Sequence, residues 1–567
     1  MGELISRERA HEMLIGPGLP YEIEPFQISG VTLRTWKHAP KNLREVLEQS
    51  EKFSDSEFMI LGNRRISYVG HYNLVCKLSH FLKSSMGVSK GDRVALVMRN
   101  LPEWSVAFWA TTAIGAIIVP LNAWFTGKEL QHCINDCGAK VAIVDFKRAN
   151  ILRSFYGQLM VKRVIVTEEQ ESILVGPEIS FNHVIKDSPD NKKLPDVQIG
   201  PDDDATIFYT SGTTGKPKGA VGSNRNICVN ILTSNFRASV RQLCRGMTPR
   251  VLGGSPNQAK TLVPVPFFHV TGCHAILAAG VYAGSKFILM KRWDVEEALK
   301  LISTEKITNV VGVPGMILQM LESEIFDEWD TSSITSISYG GAPAMKKLGD
   351  LISRHLKNVD AENGYGLTEA SALVAYNAGK MYEKKSWSCG FPSPICDVEV
   401  KNKSSELVNQ GDVGEIFIRG PNVVRGYWNN QKETDRKFSN GWFATGDIGR
   451  IDQYGLLEIL DRHDDILIRG GENIYTVEVE NILVAYPGVI EAAVLGRDHA
   501  VLGQEVVAFV RTKSQQNITE EELILHCRKN LAEFKIPVEL NLTSDPLPTN
   551  AAGKILKRSL QKSITRA

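Results

Sequence analysis

An excess of charge of either sign is missing from this chain: 65 lysines and arginines stand against 64 acids over 567 residues, a formal net charge of +1. Such a balance excludes a basic nucleic-acid surface or a polybasic membrane patch and points to small-molecule partners. Paired cysteines are missing too. The nine cysteines are an odd number without a C-x-x-C, the pattern of buried thiols in a reducing compartment rather than of a disulfide framework. Cys133 and Cys137 read as one face of a helix, not a metal site. The start, MGELISRERA, has no apolar signal core and the end, TRA, is not the peroxisomal S-K-L, so a cytoplasmic location is expected. No membrane span is expected either, because the uncharged run from Trp104 to Leu121 is interrupted by Gly115 and Pro120 and suits a buried helix running into a buried strand.

Two common active-site fingerprints are also absent. In TSGTTGKPKGA, Thr210 to Ala220, Gly212 and Gly215 are separated by two residues and Lys216 precedes Pro217, so the stretch is not a Walker A loop. The nearest approach to G-x-G-x-x-G is GYGLTE, with Glu369 where the third glycine belongs.

What is present is alternation. RVALVM, AIIVPL and KVAIVD are short apolar runs separated by helical patterns from about Pro102 and about Thr126; LVPVPF, KFILM, NVVGVP and ITSISY continue the series, with a helix around Asp294 to Glu305. This predicts parallel sheets covered by helices, with ligands at the carboxyl ends of strands. Past about residue 400 the strands shorten (EIFIRG, WFATGD, GLLEIL), and from about Asp464 a separate α+β unit follows. A chain of this length exceeds one compact core. The expected class is α/β: a large domain over residues 1–461 with a β-barrel-like subdomain, a hinge over 462–466 and a small mobile α+β domain over 467–567.

The stretch TSGTTGKPKGA follows ATIFY, which reads as a strand, and offers small residues, hydroxyls and lysines, a composition suited to a polyphosphate. A flexible surface linker has the same composition. Further along lie PFFHVTG (266–272), SYGGAP (338–343), NGYGLTEAS (363–371), GWFATGDIG (441–449), DRHDDILIRGGENIYTVEVE (461–480) and PTNAAGKILKR (548–558). In this order they resemble the signature stretches of the adenylate-forming superfamily, in its acyl-CoA synthetase branch. The resemblance spans almost the whole chain.

It implies an ATP-dependent acid–thiol ligase: a carboxylate attacks the α-phosphate of ATP to give an acyl-adenylate and pyrophosphate, and the thiol of coenzyme A then displaces AMP. By resemblance, Thr210, Ser211, Gly212, Thr213, Thr214 and Gly215 hold the outer phosphates, with Lys218 nearby, and Glu369 holds Mg²⁺. Adenine falls between Gly341–Ala342–Pro343 and Tyr365, with Asn363 at its amine and Gly366 and Thr368 beside it. Asp447 accepts the ribose hydroxyls and Arg462 lies alongside. Lys554 carries the first half-reaction, with Thr214 and Glu369 as its catalytic companions. Gly470 and Gly471 line the coenzyme A tunnel, and Asp464 is the hinge on which the small domain alternates.

His269, Val270, Gly340 and Gly366 are the expected acyl-pocket residues. With no aspartate near His269 to pair with an amine, and glycine at 366 where acetate-specific relatives close the pocket with tryptophan, a medium- or longer-chain fatty acid is expected; an aryl acid fits the same description. Phe236 to Lys260 reads as a loop near the entrance, its arginines 237, 241, 245 and 250 solvated or touching a phosphate. Other readings are an enzyme that loads a carrier protein, a luciferase-like oxidation sharing the first step, and a non-catalytic nucleotide-binding protein. Either a monomer or a homodimer is compatible.

Overall fold

The structure, a computed structural model, describes residues 5–28, 30–168, 173–188, 191–210, 217–254, 257–513, 517–551 and 553–564. Two sheets form the frame of the large domain. In the first, of seven strands, Arg93–Val97, Ile117–Pro120, Val141–Asp145, Arg163–Thr167, Glu178–Ser180 and Asp204–Thr210 run parallel, and Lys218–Ser223 closes one edge antiparallel. In the second, of nine strands, the parallel centre comprises Glu57–Leu61, Lys286–Leu289, Lys260–Val263, Asn309–Gly312, Ser336–Gly340 and Asp360–Leu367, with antiparallel strands at both edges.

Strands buried on both faces cannot alternate polar and apolar residues, which is why they appear in the sequence as unbroken apolar runs. Between the sheets the helix Pro102–Ala113 is buried almost all round, with Trp104, Phe108 and Trp109 fully buried. Each such side chain contributes about 1.5–3 kcal/mol by leaving water. Proline in the first turn starts this helix where the missing N–H costs nothing. The uncharged run from Trp104 is thus core, and no helix among the described residues is long and apolar enough to cross a membrane. Thr126 caps the helix Gly127–Asp136 through a reciprocal box with Glu129, burying Cys133 and, at the cap, Cys137.

A five-stranded antiparallel sheet follows, Asp397–Lys401 to Leu457–Arg462. After the turn His463–Asp465 the chain enters a last sheet with its own apolar core around Val479, Leu483, Val494, Val506 and Leu523. Its strands pair antiparallel except Glu539–Thr543, which lies parallel to Gly503–Thr512. This unit docks on the large domain: Lys347 Nζ donates to the Val489 carbonyl at 2.9 Å, Gln319 to Glu491 at 3.2 Å, and Ala551 packs against Ala123 and Phe268.

One expectation is overturned. The segment from Phe236 is not an entrance loop: Asn224–Cys244 is a single helix of 21 residues. Arg237, Arg241 and Arg245 are not solvated or held for phosphate but face inward onto strand Asp360–Leu367, whereas Arg250 lies past the helix and is exposed. Arg237 and Arg241 each reach Glu362 Oε1 at 3.3 Å, and Arg245 reaches Asp360 at 2.5 Å. The spacing of 237, 241 and 245, one turn apart, puts all three on one helix face; it is a buried-ion-pair signal that resembles a solvated stripe when read in isolation.

Candidate active site

The parallel strands of both sheets end around one cleft of about 1220 Å³. Thr210, Val265, Gly312, Gly340, Gly341, Thr368 and Glu369, at or just past strand ends, line it, the location expected of ligands on such sheets. The small domain closes one side with Thr549, Asn550, Ala551 and Lys554.

At one end a carboxylate is fixed by its strand pairing. Asp447 and Arg462 are directly opposed on adjacent antiparallel strands, and Arg462 Nε lies 3.4 Å from Asp447 Oδ1. The Tyr365 hydroxyl donates to Asp447 Oδ2 at 2.7 Å. A carboxylate so held is a ready acceptor for a vicinal diol. Asn363 donates through Nδ2 to the Ser386 carbonyl at 2.7 Å, and its buried Oδ1 makes no hydrogen bond among the described residues. Gly341, with φ +78°, turns the chain beside it. Gly341 and Tyr365 line the cleft; Ala342, Pro343 and Asn363 do not.

The family model described as AMP-binding enzyme matches residues 46–428, and the one described as AMP-binding enzyme C-terminal domain matches residues 478–554. The chain belongs to the AMP-binding enzyme family. It is an adenylate-forming, ATP-dependent ligase. Among its relatives are a long-chain-fatty-acid–CoA ligase of Yersinia pestis, 31% identical over 512 residues with 85% of this chain and 87% of the relative covered, and a feruloyl-CoA synthase of an Amycolatopsis species, 33% identical over 506 residues with 88% and 94% covered. Of solved structures, an o-succinylbenzoate CoA synthetase from Bacillus subtilis, in complex with its acyl-adenylate intermediate, is 26% identical with a TM-score of 0.76 over 92% of this chain and 98% of that one. An anthranilate CoA ligase with a TM-score of 0.81, 24% identical over 92% and 97%, shares the fold.

Within this AMP-binding enzyme, Lys554 is half-buried in the cleft on a tight loop, its backbone N–H bonded to Asn550 Oδ1 at 3.0 Å. Burial, then repulsion from Arg462, pulls its ammonium down to about 8, against the attraction of Asp447 and Asp465. Glu369 is raised above the ordinary carboxylate range by burial; its Oε1 accepts from the Tyr427 hydroxyl at 2.8 Å, and among the described residues no lysine or arginine forms an ion pair with it. Lys218 pairs with Glu433 at 2.7 Å, and Thr210 ends its strand at the cleft. Ser211, Gly212, Thr213, Thr214 and Gly215 lie outside the described residues.

His269, Val270, Gly340 and Gly366 all line the cleft. His269 is buried with Nε2 unpartnered, and burial lowers it to about 4, so the ring is neutral. Gly366 answers to more than pocket volume: a Cβ there would fall 1.6 Å from the Ala372 carbonyl oxygen of the adjacent strand, and one at Gly340 would fall 2.6 Å from the Gly364 oxygen. Gly470 and Gly471, with φ of +60° and +89°, are exposed and do not line the cleft, whereas Asp464 does. Sequence reasoning missed Tyr427, Glu433 and Glu362, and it placed Arg237 at an entrance instead of in the cleft. Each acts through a partner far away in the chain, and only the position of Tyr427 in a GYW stretch carried any local signal.

Proposed function

We propose that this ligase activates a medium-length aliphatic or aryl carboxylic acid as its adenylate and transfers the acyl group to coenzyme A. The carrying observation is that one cleft joins the Asp447–Tyr365–Arg462 constellation, the Lys554 loop and a long cavity floored by Gly340, Gly364 and Gly366. A carboxylate and a phosphate repel, so bonding them needs positive charge aimed at the charge that develops. Lys554 supplies it from the small domain, Asp447 fixes the ribose, and Arg462 stands beside both.

Mg²⁺ fits the residues present: Glu369, a half-buried carboxylate with no ion pair among the described residues, is a hard oxygen ligand that together with phosphate oxygens would suit a small divalent ion. Bound there, the ion supplies charge neutralisation on the phosphates. Tyr427 holds the carboxylate in place for it.

Coenzyme A as acceptor draws support from two further features. A second cleft of about 820 Å³ between the domains is lined by Arg99, Lys147, Lys291, Arg292, Arg511 and Lys513, a surplus of cations suited to its phosphates. The left-handed glycines 470 and 471 do not line the cleft while Lys554 does, an arrangement that supports alternation of the small domain about 462–466, with 1–461 and 467–567 as the moving bodies. Asp464→Pro is expected to abolish one half-reaction and spare the other. The direct test incubates the purified protein with Mg-ATP, coenzyme A and acids from acetate to long chain, aryl acids included, and follows AMP. AMP release that needs a carrier protein instead of coenzyme A, or none with any acid, rejects the reading.

A further inference from the structure

The acyl end of the cleft closes on charge. Arg237, Arg241, Ser338 and Glu362 line it beyond Gly340 and Gly364. Glu362, 1% exposed, takes three bonds on a single oxygen: Ser338 Oγ donates to Oε1 at 2.5 Å, and Arg237 and Arg241 approach the same oxygen at 3.3 Å. Its other oxygen, Oε2, is buried with no partner, and so is Arg237 Nε. Burial acts to raise this carboxyl, but the two arginines and Ser338 outweigh it and hold it below the ordinary range. It is therefore ionised.

A purely structural ion-pair network gains most when every lone pair and proton is used, and half-satisfied polar clusters are costly. Here one donor and one acceptor are left over on residues that line the cleft. A methyl terminus would leave both orphaned. A second carboxylate would suit Arg237 but meet the free oxygen of Glu362, and an ammonium would suit Glu362 but face three arginines, since Arg245 sits behind Arg241 on Asp360. A hydroxyl both donates and accepts.

We infer that the acid activated by this ligase carries a hydroxyl at the end remote from its reacting carboxyl, and that Arg237 and Glu362 receive it. This rests on the acid-activating reading above. At about 3.3 Å per strand residue, Glu362 stands about 7 Å from Gly364 and about 13 Å from Gly366 along the strand. Hydroxyaryl acids and mid-length ω-hydroxy acids span that interval.

Two matched pairs separate the possibilities: cinnamate with 4-hydroxycinnamate, and decanoate with 10-hydroxydecanoate, plus decanedioate. Each is tested with the full-length protein by pyrophosphate release with Mg-ATP and, independently, by calorimetric binding. A site built to bond a hydroxyl discriminates strongly against the analogue lacking it, so at least one hydroxy acid is expected to exceed its plain partner by about tenfold or more. That ratio should fall towards one in Glu362→Gln and in Arg237→Met; the partly exposed Arg237 keeps the test available if Glu362→Gln does not fold, which circular dichroism reports. Equal use of both members of both pairs, preference for the diacid, or an unchanged ratio in the variants overturns the inference. Turnover of plain acids alone overturns it and leaves the ligase reading intact, whereas selective binding of a hydroxy acid without turnover does the reverse. Neither binding nor turnover of any acid overturns both.

Discussion

The two ends of the cleft are built by different means. The nucleotide end is assembled from short stretches: Asp447 and Arg462 face each other because two neighbouring strands pair in register, and Tyr365 donates to Asp447 from the strand carrying Asn363. The acyl end is assembled from long-range ion pairs between the helix Asn224–Cys244 and strand Asp360–Leu367, whose members are more than a hundred residues apart. The first kind of site uses fixed backbone and is insensitive to what surrounds it. The second depends on side chains that could be exchanged without disturbing a strand, which makes it the natural place for substrate choice to reside.

The comparison breaks if the nucleotide end tolerates loss of its charges. Lys554→Ala carries the largest expected effect: loss of a preorganised cation at the reacting centre lowers acid-dependent pyrophosphate release by about a hundredfold or more. Attack of coenzyme A on supplied acyl-adenylate should survive, because the proposed alternation moves Lys554 out of the cleft for that step. Pyrophosphate release at the wild-type rate would remove the lysine from the mechanism. Next in size, Asp447→Ala withdraws a buried acceptor from the ribose and leaves Tyr365 and Arg462 without their common partner. A hydrogen bond to a charged group is worth about 1.5–3 kcal/mol, so KM for ATP should rise by about ten- to a hundredfold with a smaller change for the acid.

The nucleotide end is readable in the sequence only through the resemblance of its stretches to a family's; what the order of residues shows by itself is the frame around it. Strand runs such as KVAIVD and VIEAAVLG, proline at the start of one helix and Thr126 or Asp294 at the start of others are local signals, and the observed elements begin at them. The acyl end is not legible in this way. Arg237, Arg241 and Arg245 on a helix turn and Glu362 in DAENGYG each look like ordinary surface charge; only folding presses helix and strand together so that they meet. Gly366 is a middle case. Its small size is visible in the sequence, yet the main reason for it, the 1.6 Å approach of a Cβ to the Ala372 oxygen, comes from strand pairing.

A pH profile sharpens the contrast. Lys554 assists as the ammonium, and burial lowers it to about 8; the charged form is therefore present below that value and lost above it. Adenylation kcat/KM, which reports the free enzyme, should be flat up to about pH 7.5 and then decline, approaching tenfold per unit well above the transition. His269, lowered to about 4 and neutral throughout this range, adds no limb of its own between pH 5 and 9. A flat profile to pH 10 would mean that the lysine stays protonated and that the cleft does not desolvate it.

The smallest expected effect tests whether the nucleotide end is preorganised by neutral partners as well as by charge. Tyr427 touches Glu369 Oε1 at 2.8 Å and packs edge-on against Phe438, so Tyr427→Phe keeps the ring and its packing and removes one hydrogen bond. Such a bond to a carboxylate is worth about 1.5–3 kcal/mol, part of which the carboxylate recovers from water in an open cleft. A fewfold rise in the Mg²⁺ concentration giving half-maximal activity is expected, with kcat at saturating Mg²⁺ close to wild type. That split is the informative part. If kcat fell at every Mg²⁺ concentration while the half-maximal point stayed put, Tyr427 would be serving the reacting atoms instead of Glu369, and the nucleotide end would have a catalytic participant drawn from outside its short sequence stretches.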